Sequence, residues 1–156
     1  MTRSARVGWS AAALAAVLLV APLAGCAGTG PAPTESTTSE GQDVDLQPLY
    51  SAVTAADARV EDPTAIVNYS GTAKTLDLAV LIRGDEPVST QTLTAILVAA
   101  RDATPDEIAT ISVLAREAAD EERIVDLQDA IAGLPAGVTA LWDGAATLAR
   151  VDLDKL

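Results

Sequence analysis

The stretch that decides the fold is Thr75-Leu-Asp-Leu-Ala-Val-Leu-Ile-Arg83. Apolar residues occupy every second position of this run. A period of two predicts a β-strand with one buried face. The positions expected to be buried are Leu76, Leu78, Val80 and Ile82. The preceding residues 65–71 also have strand character and end at Gly71, which suits a tight turn between antiparallel strands. Together the two runs predict a β-hairpin.

A helix is predicted directly after this hairpin. Residues 84–87 contain Gly and Pro and end the strand, and Ser89 then stands at the N-cap position of a helix. From that start, Leu93 falls at the fourth helical position, where it can pack on Val88 as a hydrophobic staple. The apolar stripe of this helix comprises Leu93, Ile96, Leu97 and Ala100.

The segment 104–116 permits two interpretations. Thr104-Pro-Asp-Glu107 has capping-box spacing with proline in the first helical position, which would begin a helix through Ile108 and Ile111. The run 110–114 is instead rich in β-branched residues and alternates as a strand does. We favour the strand, introduced by the proline turn and followed by an acidic loop over 118–122.

Two further helices are indicated by spacing and caps. Apolar residues three and four apart predict a first helix within 47–59, with Pro48 in its first turn and Asp62-Pro63 closing it. Asp126 can cap a short helix that runs through Ala132.

The end of the chain predicts a second hairpin. Asp143-Gly144 suits a type I′ turn within residues 137–151, and residues 151–156 are alternatively a terminal helical turn. The whole order predicts an α+β fold, a small antiparallel-rich sheet with helices packed on one face, as a single domain over residues 46–156. Part of the order resembles the split β-α-β plan of ferredoxin-like domains, a likeness that implies no function.

Residues 1–25 have the three-part build of a secretory signal. Arginines make the start positive, the run 7–23 is almost wholly apolar, and Ala24 and Gly25 are small residues at the cleavage side. The apolar run is near the lower limit, roughly 17 residues, for a transmembrane helix. The small residues and the following Cys26 favour a cleaved signal instead.

Leu23-Ala24-Gly25-Cys26 resembles the lipobox of bacterial lipoproteins, an aliphatic residue, two small residues and a cysteine after an apolar segment. The resemblance implies that the Cys26 thiol receives a diacylglyceryl group, that signal peptidase II cuts between Gly25 and Cys26, and that the new amino group is acylated. The mature chain would then be lipid-anchored at the extracytoplasmic face of the cell membrane. Two acyl chains give stable anchoring, because each buried methylene contributes about 0.8 kcal/mol.

Residues 26–45 are dominated by Gly, Pro, Ser, Thr, Glu and Gln, which predicts a disordered tether. Cys26 is the only cysteine, so no intramolecular disulfide can form. The composition, rich in Ala, Asp, Thr and Val with little Lys, resembles that of exported proteins of high-GC actinobacteria.

Composition excludes several function classes. From Cys26 onward the chain has 22 acidic and eight basic residues, a formal net charge of −14. Such a charge repels phosphate backbones and argues against nucleic-acid binding. There is no histidine, so His-based catalysis and His metal ligands are excluded. Because lipidation removes the only thiol and no Gly-rich phosphate loop is present, we predict neither an enzyme nor a cofactor.

Carboxylates are the remaining candidates for chemistry. The pairs Asp77 with Asp85 and Asp102 with Asp106 would serve glycoside hydrolysis only if they lay buried about 5–10 Å apart. The acidic cluster over 117–122 lacks the spacing of an EF-hand, so we expect a solvated loop and no metal site.

Two function classes remain. The first, which we favour, is a membrane-anchored, non-catalytic accessory or protein-interaction module with an envelope protein as partner. The second is a small lipoprotein that binds an apolar or cationic molecule between the sheet and the helices. A bare sheet edge would favour the first, and a pocket lined by the stripe of 93–100 the second. Trp142, the only tryptophan after Cys26, lies beside a turn and is a candidate partner-binding residue, with a core position as the alternative.

Overall fold

The computed structural model describes residues 44–156. The predicted signal peptide, the lipobox with Cys26 and most of the predicted tether lie outside the described residues. Asp45 at the end of that tether is described, and its Oδ1 accepts the backbone N–H of Gln47 at 3.0 Å. Among the described residues, no helix has the length and apolar character needed to cross a bilayer.

Four helices and six strands make up the described part of the chain. In order they are α1 (Gln47–Ala56), β1 (Val60–Ser70), β2 (Ala73–Ile82), α2 (Thr90–Asp102), β3 (Ile108–Glu117), β4 (Asp120–Ile124), α3 (Gln128–Ala132), β5 (Ala140–Trp142), β6 (Ala146–Ala149) and α4 (Arg150–Leu153). The strands form one sheet ordered β1-β2-β3-β6-β5, and β4 pairs with the carboxyl end of β3. The predicted α+β class with a mostly antiparallel sheet is confirmed.

The predicted hairpin forms β1 and β2. Ser70 lies opposite Ala73, so the turn consists of Gly71 and Thr72. Gly71 has a φ of 62°, a conformation that strains residues with a Cβ, which is why glycine belongs there. All four predicted core positions of β2 are buried.

The segment 104–116 contains a strand, β3, which is the interpretation that we favour. β3 pairs parallel with β2, and α2 connects the two strands. Thr104 explains the outcome, because its Oγ1 donates to the carbonyl of Ala100 at 2.7 Å. This residue therefore completes the end of α2 and does not cap a new helix. β2 and β3 are direct neighbours, so no strand is inserted between them as the split β-α-β plan would require.

Helix α2 begins at the predicted cap. Ser89 Oγ accepts the backbone N–H of Thr92 at 3.1 Å, and both Val88 and Leu93 are buried in the core. The stripe of α2 packs with the buried residues of β2, β3 and β6, together with Leu49 of α1 and Leu153 of α4. The buried residues alternate along β2, β3 and β6, so the core lies on one face of these strands and the helices pack there.

The boundaries of the first helix and strand differ from the prediction. α1 ends at Ala56, and Asp62-Pro63 does not close it. These two residues lie inside β1, at a bulge between Glu61 and Thr64 where Asp62 has a φ of 45°. The bulge accommodates the proline without ending the strand.

The acidic segment and the last hairpin also differ in detail. Residues 118–122 are not one loop, since Asp120–Ile124 forms β4 against β3. The final turn spans residues 143–145, three residues with Gly144 at a φ of 101°, because Trp142 lies opposite Ala146. The helix α4 replaces the end of the predicted last strand.

Asp57 connects the end of α1 to the start of α2. Its carboxylate accepts the backbone N–H of Arg59 at 2.8 Å and the hydroxyl of Thr92 at 2.7 Å. Both hydrogen bonds stabilise the charged form, and they lower the pKa of Asp57 below its usual value of 3.8 even though desolvation acts in the opposite direction.

For Asp57→Asn we predict a loss of stability near neutral pH that becomes smaller in acid. A carboxyl group with a lowered pKa in the folded state contributes its full stability above the unfolded value of 3.8, and that contribution is lost as the pH falls through the folded value. Urea denaturation of both proteins should show their unfolding free energies converging below about pH 3.8. A difference that stays constant into acid would contradict this role. Asp143→Asn, at an exposed carboxylate, controls for the loss of one negative charge.

Candidate protein-docking edge

The face of the sheet turned away from the buried core carries side chains that are partly or largely exposed. One row of side chains crosses it in register: Ile66 lies opposite Asp77, Asp77 opposite Ser112, and Ser112 opposite Thr147. Ser112 and Thr147 join their hydroxyls at 2.9 Å. The row ends at Leu141 of β5, which is 67% exposed. The open face therefore mixes apolar and polar groups.

Strand β1 forms one edge of the sheet. β2 pairs with its inner side, and within residues 44–156 no strand pairs with its outer side. The first part of β1 resists further pairing, because Pro63 lacks an N–H and the bulge interrupts the strand. Glu61 in this part forms an ion pair with Arg83.

The second part of β1, Thr64–Ser70, has none of these protective features. It carries no charged residue and no proline. Ile66 is 66% exposed and Tyr69 is 49% exposed. The outer backbone N–H and C=O groups of an uncharged edge strand can pair with another strand, and natural proteins usually prevent this with charge, proline or a cover.

A concavity of about 380 Å³ lies along the same strand. Residues of three strands and α1 line it, among them Tyr50, Thr64, Ile66, Asp77, Ala79 and Leu114. Asp77 is the charged residue of this lining, and its Oδ2 accepts from Asn68 Nδ2 at 2.5 Å. We call the segment Thr64–Ser70 together with this concavity the edge site.

A basic group lies at the turn end of the edge site. Lys74 Nζ is 2.9 Å from Glu107 Oε2 and 5.8 Å from the ring centroid of Tyr69. The hydrogen bond between the two charges raises the pKa of Lys74 and lowers the pKa of Glu107. Both groups therefore remain charged at neutral pH, and together they leave this end with no net charge.

The candidate carboxylates Asp102 and Asp106 are exposed, and each has an arginine partner. Asp102 Oδ1 is 2.8 Å from Arg101 Nε, and Asp106 Oδ1 is 2.6 Å from Arg150 Nη2. The two carboxylates are 61% and 97% exposed. The hydrogen bond from Arg101 lowers the pKa of Asp102. A glycosidase general acid needs the opposite, a raised pKa.

The other acidic candidates are spread over separate parts of the structure. Asp77 lies on the open face, whereas Asp85 lies in the loop after β2 and shares a second concavity with Glu117. Glu117 Oε2 is 3.2 Å from Arg123 Nη1, so this carboxylate has a cationic partner that lines the same concavity. Across residues 44–156 no group of three or more acidic, His or Cys side chains is placed to hold a metal ion.

Trp142 lies at the opposite edge of the sheet from β1. It is partly buried and packs against the core, while Leu141 beside it is the exposed residue of β5. Cys26 and the rest of the lipobox lie outside the described residues. The edge site was missed in the sequence because strand order is a long-range property; only its lack of charge is visible there.

Comparisons of the chain with protein-family models, with curated proteins and with solved structures find no match.

Replacing isoleucine by threonine on each face of the sheet should change the unfolding free energy by different amounts, because one face is exposed and the other is buried. Ile66→Thr should change the unfolding free energy by less than about 0.5 kcal/mol, because the side chain is exposed and Thr suits a strand. Ile111→Thr, at a fully buried position of β3, should cost about 2 kcal/mol or more. Urea denaturation of the two variants measures the difference. Equal losses would mean that the β1 edge is part of the core.

Proposed function

We propose that the chain is a lipoprotein anchored through Cys26 at the extracytoplasmic face of the cell membrane, and that its α+β domain is a non-catalytic module that docks an envelope protein at the edge site. The proposal has two parts, the anchor and the docking surface. The anchor rests on the lipobox-like Leu23-Ala24-Gly25-Cys26. The docking surface rests on the geometry of β1.

One observation carries the docking part: seven consecutive uncharged residues, 64–70, on the unpaired side of an edge strand. In strand addition, an extended segment of the partner supplies the missing backbone hydrogen bonds, and side-chain pockets supply specificity. The concavity containing Ile66 and Asp77 provides such a pocket beside the strand.

The absence of histidine and the exposed, Arg-paired state of Asp102 and Asp106 support a non-catalytic role. The strongly acidic composition supports a partner other than nucleic acid.

Cys26→Ala tests the anchor. The thiol is the acceptor of the diacylglyceryl group, so the variant should remain an uncleaved precursor or be released without lipid. Mass analysis of the N-terminus and detergent phase partitioning measure this, with Thr29→Ala as the control. A mature N-terminus of the unmodified chain that carries no acyl groups, or that still includes Arg3, would contradict the anchor.

A photoreactive residue at position 66 tests the docking surface. In intact cells that produce the full lipidated chain, p-benzoylphenylalanine in place of Ile66 should yield one discrete adduct. The same residue in place of Val151, which is 64% exposed on α4, should yield none. Mass spectrometry identifies the captured chain. Equal labelling from both positions, or no adduct from position 66, would argue against docking at β1.

A second candidate function, binding of an apolar or cationic small molecule, is favoured by the same concavity. Its volume is within the usual range for ligand sites, roughly 300–1,000 Å³, and it combines apolar walls with one carboxylate, Asp77. Its position differs from the one expected between sheet and helices. The stripe Leu93, Ile96, Leu97 and Ala100 is buried in the core and does not line it.

A further inference from the structure

Two features fix the length of β1 that is open to pairing. At one end, Pro63 and the bulge stop a regular ladder, because proline has no N–H to donate. At the other end the chain turns at Gly71 and Thr72. The outer side of β1 can therefore pair over Thr64–Ser70, a segment of seven residues whose middle residue is Val67.

We infer that the occupant of the edge site is β1 of a second copy of this chain, paired antiparallel about a two-fold axis at Val67. The inference rests on the proposed function and names its docking partner. A two-fold axis perpendicular to the sheet reverses the strand direction and keeps the same face up, so both copies present the same surface. Centring the axis at Val67 uses the whole open segment.

Four kinds of cross-strand pair form in this register, and one of them, Ile66 opposite Asn68 of the second copy, sets an apolar residue beside an amide. Thr64 meets Ser70 of the second copy, two hydroxyl residues, and Ala65 meets Tyr69, a small residue beside a large one. Val67 meets its own equivalent. The two Ile66 side chains lie diagonally across the axis on the open face, about 7–8 Å apart at their backbones, which is within the reach of long side chains. The exposed Ile66 thereby gains an apolar neighbour.

Charge favours this edge over other contacts between two copies. Residues 44–156 contain 19 acidic and eight basic residues, so most surfaces of two copies repel one another. The segment 64–70 has no charge to oppose its equivalent. Asp62 of one copy would lie just past the hairpin turn of the other. The ion pair of Lys74 and Glu107 at that end has no net charge.

The other edges of the sheet fit a second copy less well. β5 is three residues long and is followed by Asp143, and β4 contains Asp120, Glu121 and Glu122 in five residues. Pairing at β1 instead joins two six-stranded sheets into one continuous sheet. It also places the two concavities beside the same interface.

Val67→Cys in the full lipidated chain, in native membranes, tests the register. Directly opposite residues of antiparallel strands have Cα atoms about 4.5–5.5 Å apart, inside the range of roughly 4.4–6.8 Å that a disulfide spans. Mild oxidation should therefore give a dimer on a non-reducing gel. The unmodified chain and Val151→Cys, at an exposed position on α4, should give no disulfide-linked dimer on the same gel.

Sedimentation of the detergent-solubilised chain provides a second measurement that needs no cysteine. The unmodified chain should sediment as a dimer, and Ile66→Lys should weaken the dimer by about tenfold or more, because two ammonium groups then lie diagonally across the axis. Raising the salt concentration should strengthen the unmodified dimer, since it screens the repulsion between two acidic copies.

The outcomes separate this inference from the proposed function. A monomer in both measurements, together with a different protein captured from position 66, overturns the second copy and leaves docking at the edge in place. A monomer with no capture at position 66 overturns both. Dimers formed equally by Val67→Cys and Val151→Cys reflect random collision and overturn the register.

Discussion

The packing of α2 on one face of the parallel pair β2 and β3 is the interaction on which the rest of the structure depends. The cap at Ser89 starts the helix at a position that turns Leu93, Ile96 and Leu97 toward the strands. Because side chains alternate along a strand, burying Leu78 and Val113 on this face sends Asp77 and Ser112 to the other. Within residues 44–156, this face is therefore the one on which the buried core and the helices lie.

Besides its open face, the sheet has an edge strand, β1. Among the strands of residues 44–156, β1 pairs with β2 alone, and the bulge at Asp62 and Pro63 divides it into a protected start and an unprotected remainder. The segment 64–70 combines unpaired backbone groups with an exposed Ile66 and an adjoining concavity. In a chain where acidic residues dominate, another strand meets less electrostatic repulsion at this uncharged strip than at the acidic surfaces around it.

Local signals in the sequence predicted much of this fold, and long-range pairing accounts for what they missed. The alternation of residues 75–83 and the cap at Ser89 act within a few residues, so both were visible. The capping-box pattern at Thr104 was ambiguous, because its hydroxyl can serve a helix on either side, and it bonds back to Ala100. β4 is acidic and exposed throughout, and only pairing with β3 makes it a strand. The edge position of β1 likewise depends on strand order.

Backbone hydrogen exchange across residues 64–70 tests the central claim most directly, because it reports on the hydrogen bonds that a docked strand would supply. The full lipidated chain would be compared in native membranes and after dilution in detergent to a concentration at which it sediments as a monomer. We predict slow exchange of alternate amides in this segment in membranes and fast exchange after dilution, with the amides of β3 slow in both. Equally fast exchange of residues 64–70 in both states would contradict the claim that this edge is occupied in the working protein.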